Sequence, residues 1–142
     1  MTEYTSLWLM MAEQDFEQRW LDIDGVRTRV AISGPGTAPA VVLLHGTGGH
    51  WETFAPTIAA LSKDFRCVAI DMVGNGFSGK PDVDYEIPVY IAHVNGVLAA
   101  LGVTHAHFIG MSLGAWVVAR MAQQLPDVVD SAILMSPAGL IA

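Results

Sequence analysis

The chain has 142 residues, the size of one domain or of one large piece of a bigger one. Hydrophobic residues make up 52% and charged residues 15%, which excludes an intrinsically disordered chain. A formal net charge of -7 argues against a nucleic-acid partner, because holding phosphates takes a surplus of lysine and arginine. The single cysteine, Cys67, excludes an internal disulfide and a cysteine-built zinc site. Its place in the apolar run CVAI reads as a buried small hydrophobe. The apolar stretch LWLMMA at 7–12 lacks a basic segment before it and a small-residue cleavage site, and nothing approaches the roughly 20 apolar residues of a spanning helix. The expectation is a cytoplasmic protein with no membrane partner.

Residues 1–18 form a poorly patterned preface with a short helix through 7–16, and residues 19–142 form the core. Two β segments follow, 19–23 and 26–32, with the hairpin signal Asp24-Gly25 between them. In the second, Arg27, Arg29 and Ala31 alternate with Val26, Thr28, Val30 and Ile32, which predicts one solvated face. The pattern then changes to short, uniformly apolar runs: AVVLL at 40–44, CVAI at 67–70, Phe108-Ile109 and AILM at 132–135. Such strands are buried on both faces, as in a parallel sheet covered by helices. Helical patterns separate them at 53–61, 88–101 and 113–125, with Pro88 suited to a first turn and Gly102 to the position past an end. The order predicts an α/β fold, a three-layer αβα sandwich with a mostly parallel sheet and active groups at the strands' carboxyl ends.

The sharpest local signal is Gly110-Met111-Ser112-Leu113-Gly114, which follows a buried strand and opens a buried helix. A reversal this tight strains the serine backbone and demands small residues two positions away on either side. It lifts the Ser112 hydroxyl above the sheet, beside a helix N-terminus that favours developing negative charge. The plainer alternative is a serine capping an ordinary strand-to-helix turn. A second signal is His45-Gly46-Thr47-Gly48-Gly49 after AVVLL. A glycine-rich bend there can turn backbone N–H groups toward the serine. Acyl transfer needs two such donors: one from Leu113, the other from Thr47 or Gly48. The third is Asp71-Met72-Val73-Gly74-Asn75-Gly76-Phe77-Ser78-Gly79, a literal G-x-G-x-x-G. A dinucleotide site needs a helix to begin inside that motif; here Lys80-Pro81-Asp82 follows and helical pattern resumes only near Pro88. The stretch therefore reads as a structural loop, with Asp71 binding backbone N–H groups across the turn.

Together these motifs resemble the α/β-hydrolase superfamily, in its order and at its usual spacing, from about Trp20 to the C-terminus. The stretch HGTGGHWETF looks like that of enzymes related to the meta-cleavage-product (carbon–carbon bond) hydrolases and similar small esterases and lactonases. The resemblance implies that Ser112 is a nucleophile and that the N–H groups of Leu113 and the Thr47/Gly48 loop form an oxyanion hole. It also makes His45 a structural residue of that loop. It implies a small-molecule substrate and no metal or organic cofactor, and leaves a homo-oligomer open. An aspartate at 112 would point to a dehalogenase or epoxide hydrolase instead.

The family's order is serine, then acid, then histidine. After Ser112 the only acids are Asp127 and Asp130, at the amino end of the last strand, and no histidine follows at all. The earlier histidines read as bland: His50 as a surface or capping residue at the cleft mouth, His93 as a solvated residue on a polar helix face. His105 and His107 bracket Ala106, and two ligands alone make a poor metal site. The expectation is a truncated fold of about six of eight strands, with the triad acid and histidine outside this chain. The alternatives are a non-catalytic binding protein on the same fold, and an acyltransferase or perhydrolase using the same serine.

Overall fold

Asp24 and Gly25 both lie at positive φ, 50° and 82°, the backbone of a two-residue type I′ turn. In the computed structural model, which describes residues 6–140, that turn folds β1 (Glu17–Ile23) onto β2 (Val26–Ser33) in antiparallel register, Ile23 opposite Val26. Strand β2 also pairs antiparallel with β4 (Arg66–Ile70). The remaining ladder is parallel and adds β3 (Ala40–Leu44), β5 (Ala106–Met111) and β6 (Val129–Met135), giving the order β1-β2-β4-β3-β5-β6. This is the expected α/β sandwich with a mostly parallel sheet.

The apolar runs are buried on both faces. Val42 and Leu44 point into a core with Val68, Ile70 and Phe108 under α3 (Ile87–Ala100) and α4 (Leu113–Gln124). Val41 and Leu43 point the other way, toward Trp51, Phe54, Ile58 and Cys67 under α2 (Ala55–Leu61). Cys67 is inaccessible, and burial pushes its thiol up to about 11, so it packs as a hydrophobe. From β3 the chain goes to β4 on one side, then crosses back to β5 on the other. The strand order thus reverses at β3, and the crevice beyond the carboxyl ends of β3 and β5 is where such sheets bind ligands.

Five expectations are corrected. The first helix, α1 (Leu7–Ala12), stops short of Phe16, which leaves to pack its ring 5.1 Å from that of Trp51. The helix expected over 53–61 is a 3-10 turn, Trp51–Phe54, followed by α2; Pro56 falls at its first turn, where its missing N–H costs nothing. Strand β2 has no solvated face from Thr28 to Ile32, because the Arg29 guanidinium is drawn inward by two carboxylates. His93 is 5% exposed rather than solvated. Val73 N–H donates to its Nδ1 (3.3 Å), so Nε2 carries the proton and donates to Thr28 Oγ1 (2.8 Å). Desolvation lowers its pKa to about 4. Asp130 lies within β6 rather than in the link before it.

Candidate active site

Ser112 sits between β5 and α4 with φ 51° and ψ -111°, a left-handed backbone that a non-glycine residue holds only where its surroundings impose it. The surroundings are visible. A Cβ on Gly110 would lie 2.5 Å from the Gly114 carbonyl oxygen, and one on Gly114 would collide with the Leu44 carbonyl. Strand and helix therefore meet without side chains between them. Ser112 occupies the position before α4, yet its side chain makes no capping hydrogen bond, which removes the plainer alternative. The residue is half-buried. Its backbone is pinned by Ser112 N–H to Met135 C=O (3.0 Å) and by Ala138 N–H to Ser112 C=O (3.1 Å).

The loop after β3 lies against this turn. Gly114 N–H donates to the His45 carbonyl (3.1 Å), and a Cβ on Gly46 would stand 3.2 Å from Ser112 Cβ. Thr47 therefore follows directly on the residue that touches the serine. Gly49 N–H closes a four-residue turn onto Gly46 C=O (3.0 Å), and Gly48 N–H donates to Asn75 Oδ1 (2.8 Å). Of the two loop amides expected to face the serine, Gly48 is thus occupied. Among the described residues, the N–H groups of Thr47 and Leu113 have no acceptor.

The loop over 71–79 braces the first loop at three points. Met72 N–H donates to His45 Nε2 (3.1 Å), which puts the His45 proton on Nδ1, 2.6 Å from Gly46 C=O. His45 is fully buried, and desolvation lowers its pKa, so the ring is neutral and structural. Asn75 holds Gly48, and Asp71 Oδ1 accepts Trp51 N–H (2.7 Å). Asp71 Oδ2 accepts Phe77 N–H and Arg29 Nε, both at 2.8 Å, as expected of an aspartate binding across the turn. Gly74 and Gly76 stand at positive φ, 80° and 54°, and a Cβ on Gly76 would strike the Asp71 carboxylate. The next helix begins only at Ile87, so the glycines face no phosphate-binding helix end. Arg29 also reaches Glu52 Oε2 (2.8 Å), a partner that sequence reading missed because it had placed Arg29 in solvent.

None of the five histidines bonds Ser112. His45 and His93 have both ring nitrogens engaged as described. His50 pairs with Glu52 (2.8 Å), His105 with Asp130 (2.6 Å) and His107 with Ser131 (2.9 Å). Among the described residues no group of three or more His, Cys, Asp or Glu side chains is placed to hold a metal ion, and no helix is long and apolar enough to cross a membrane.

A family model described as alpha/beta hydrolase fold matches residues 39–141. The chain is 34% identical over 113 residues to carboxylesterase YbfK of Bacillus subtilis, covering 79% of this chain and 38% of that protein. It is 33% identical over 120 residues to 2-hydroxymuconate semialdehyde hydrolase of a Pseudomonas species, covering 82% and 42%. Its fold matches the solved structure of naproxen esterase (carboxylesterase NP) from Bacillus subtilis with a TM-score of 0.83 at 27% identity, covering 93% of this chain and 49% of that one. The chain spans less than half the length of these relatives.

Proposed function

The chain belongs to the α/β-hydrolase fold family, and from that premise we propose that it carries the nucleophile and oxyanion hole of a serine hydrolase acting on an ester-like carbonyl or a carbon–carbon bonded ketone. The observation that carries this reading is the strained Ser112 backbone, beside two unpartnered amides, with no capping role for the hydroxyl. In the proposed reaction the Ser112 oxygen attacks the carbonyl carbon while a base takes its proton. The carbonyl electron pair moves onto oxygen, where the Leu113 and Thr47 N–H groups receive it. Collapse expels the leaving group with that proton, and water repeats the attack to release the acid and free the serine.

The base is the part these residues do not supply, since every histidine is bonded elsewhere. We therefore place the acid and histidine outside residues 6–140. On its own the 142-residue chain is expected to turn over esters poorly, because a serine hydroxyl is a weak nucleophile without a base. A fluorophosphonate probe tests the reading on the protein that contains this sequence together with those partners. Labelling and ester hydrolysis are expected, both lost in Ser112→Ala. A folded protein that stays unlabelled supports the non-catalytic binding protein instead, and robust hydrolysis by the 142-residue chain alone overturns the placement of the base.

A further inference from the structure

Among the described residues, three non-glycine residues stand at positive φ: Asp24, Ser112 and Ser136. Asp24 belongs to the hairpin turn and Ser112 to the candidate site, and neither accounts for Ser136 at φ 43°. Strands β5 and β6 run parallel with Met111 opposite Met135, so Ser136 stands level with Ser112, one step past the end of the ladder. The bond from Ser112 N–H to Met135 C=O (3.0 Å) is the rung a regular parallel ladder makes there. The next regular rung would return from the N–H of residue 137 to Ser112 C=O. Residue 137 is proline and has no N–H to give. The bond comes instead from Ala138 N–H (3.1 Å), one residue late. Ser136 and Pro137 together thus face one residue of β5, which makes a β-bulge, and its first position takes the left-handed backbone that glycine adopts freely. Serine is strained there twice over, by its own Cβ and by the proline after it, which favours an extended neighbour.

We propose that this bulge orients and strengthens the Leu113 N–H, with Ser136 and Pro137 as its positioning residues. The connection is covalent. Ser112 C=O and Leu113 N–H are the two ends of one planar trans peptide and point in opposite directions, so whatever fixes the carbonyl also fixes the donor. That carbonyl has left the strand direction. The Ser112 ψ of -111° turns it toward α4, where it also accepts Trp116 N–H (3.1 Å). A regular rung from residue 137 would draw it back into strand geometry. By donating one residue later, β6 meets the carbonyl where the helix needs it. Two donors then converge on Ser112 C=O, and accepting both polarises the peptide and makes its N–H a better donor. Leu113 N–H has no acceptor among the described residues, so it is left for a ligand. The catalytic consequence rests on the oxyanion reading above; the bulge stands on its hydrogen bonds alone. Ser136 is exposed, so a substitution there acts on backbone conformation and not on packing.

Scalar coupling across hydrogen bonds in the isotope-labelled protein reads which nitrogen donates to the Ser112 carbonyl. Wild type is expected to show the coupling from Ala138. Pro137→Ala restores the missing N–H and is expected to move the coupling to residue 137. Ser136→Val, whose branched side chain resists positive φ, is expected to lose the Ala138 coupling, with the Leu113 amide proton moving upfield as its peptide loses polarisation. Ser136→Gly takes the same backbone without strain and is expected to keep both signals. A wild type without the Ala138 coupling overturns the bulge, as does a folded Pro137→Ala that keeps the coupling at Ala138 or a folded Ser136→Gly that loses it. A Ser136→Val with wild-type signals overturns the part given to Ser136. Where Pro137→Ala does not fold, the Ser136 pair decides. In the protein that hydrolyses esters, Pro137→Ala and Ser136→Val should each lower kcat about tenfold, less than the loss of a whole oxyanion donor, with KM little changed, and Ser136→Gly should keep kcat within about twofold of wild type. A moved or lost coupling with unchanged kcat overturns the link to Leu113. A wild type that Ser112-directed probes never label refutes the serine reading and leaves the couplings to decide the bulge by themselves.

Discussion

Buried between Thr28 and the backbone of Val73, His93 gives a side-chain contact a pH signature. Its folded pKa is lowered to about 4 against an ordinary value of 6.5. Between those limits the unfolded chain binds a proton that the folded one refuses. Stability is therefore complete above about pH 6.5 and declines as pH falls toward 4, by about 3 kcal/mol from this group. Gln in its place offers a donor for Thr28 and an acceptor for Val73 N–H without titrating. Thermal melts at pH 7.5 and 4.5 should show a smaller acid loss for His93→Gln than for wild type; equal losses would place the titration elsewhere. The sequence did not reveal this residue. By helical spacing His93 falls beside the stripe of Ile91, Val94 and Leu98, on what reads as the polar face, and its partner Thr28 lies 65 residues away. Ser112 was readable because its chemistry is local: both glycines that permit the bend lie within two residues of it.

At the scale of elements, the two loops after β3 and β4 behave as one unit because β2 sends Arg29 between them. Its fork joins Asp71 under one loop to Glu52 beyond the other, with both carboxylates largely out of water. Removing the cation leaves two buried negative charges facing each other, which costs far more than the intact pair contributes. Arg29→Met keeps the packing of the stem and deletes the fork. Its urea midpoint should correspond to a loss of about 3–5 kcal/mol; a loss under about 1 kcal/mol would mean that water already screens the site. The same arginine marks a boundary of sequence reading. Strands β3 and β4 were legible as continuous apolar runs, and β3 begins and ends where expected. Alternation in β2 predicted a wet face, since nothing within a few residues says that an arginine will find two acids 23 and 42 positions further on. Strand β6 was read from 132 but begins at Val129, because Asp130 and Ser131 look like loop residues until His105 and His107 are seen to bind them.

At the scale of the whole molecule, burial is uneven across the sheet. The centre is inaccessible on both faces, but β6 forms one edge, and its side chains from Asp130 to Met135 are exposed. Ile133 is 59% exposed, Leu134 41% and Met135 45%. Asp130 charges the start of the strand, but no charged residue or proline interrupts 131–135, so this stretch has no charge or proline to oppose edge-to-edge pairing. An unpaired row of backbone groups flanked by apolar side chains will pair with a second edge when concentration allows. The 142-residue chain, prepared by itself, is therefore expected to grow in apparent mass with concentration when followed by light scattering. Ile133→Lys places a charge on the edge without removing a buried contact, so it should reduce the association while leaving the melting temperature within about 2 °C of wild type. If the wild-type chain stays monomeric up to its solubility limit, the edge is protected by something other than side-chain charge. If Ile133→Lys melts well below wild type, Ile133 contributes to the core more than its exposure implies.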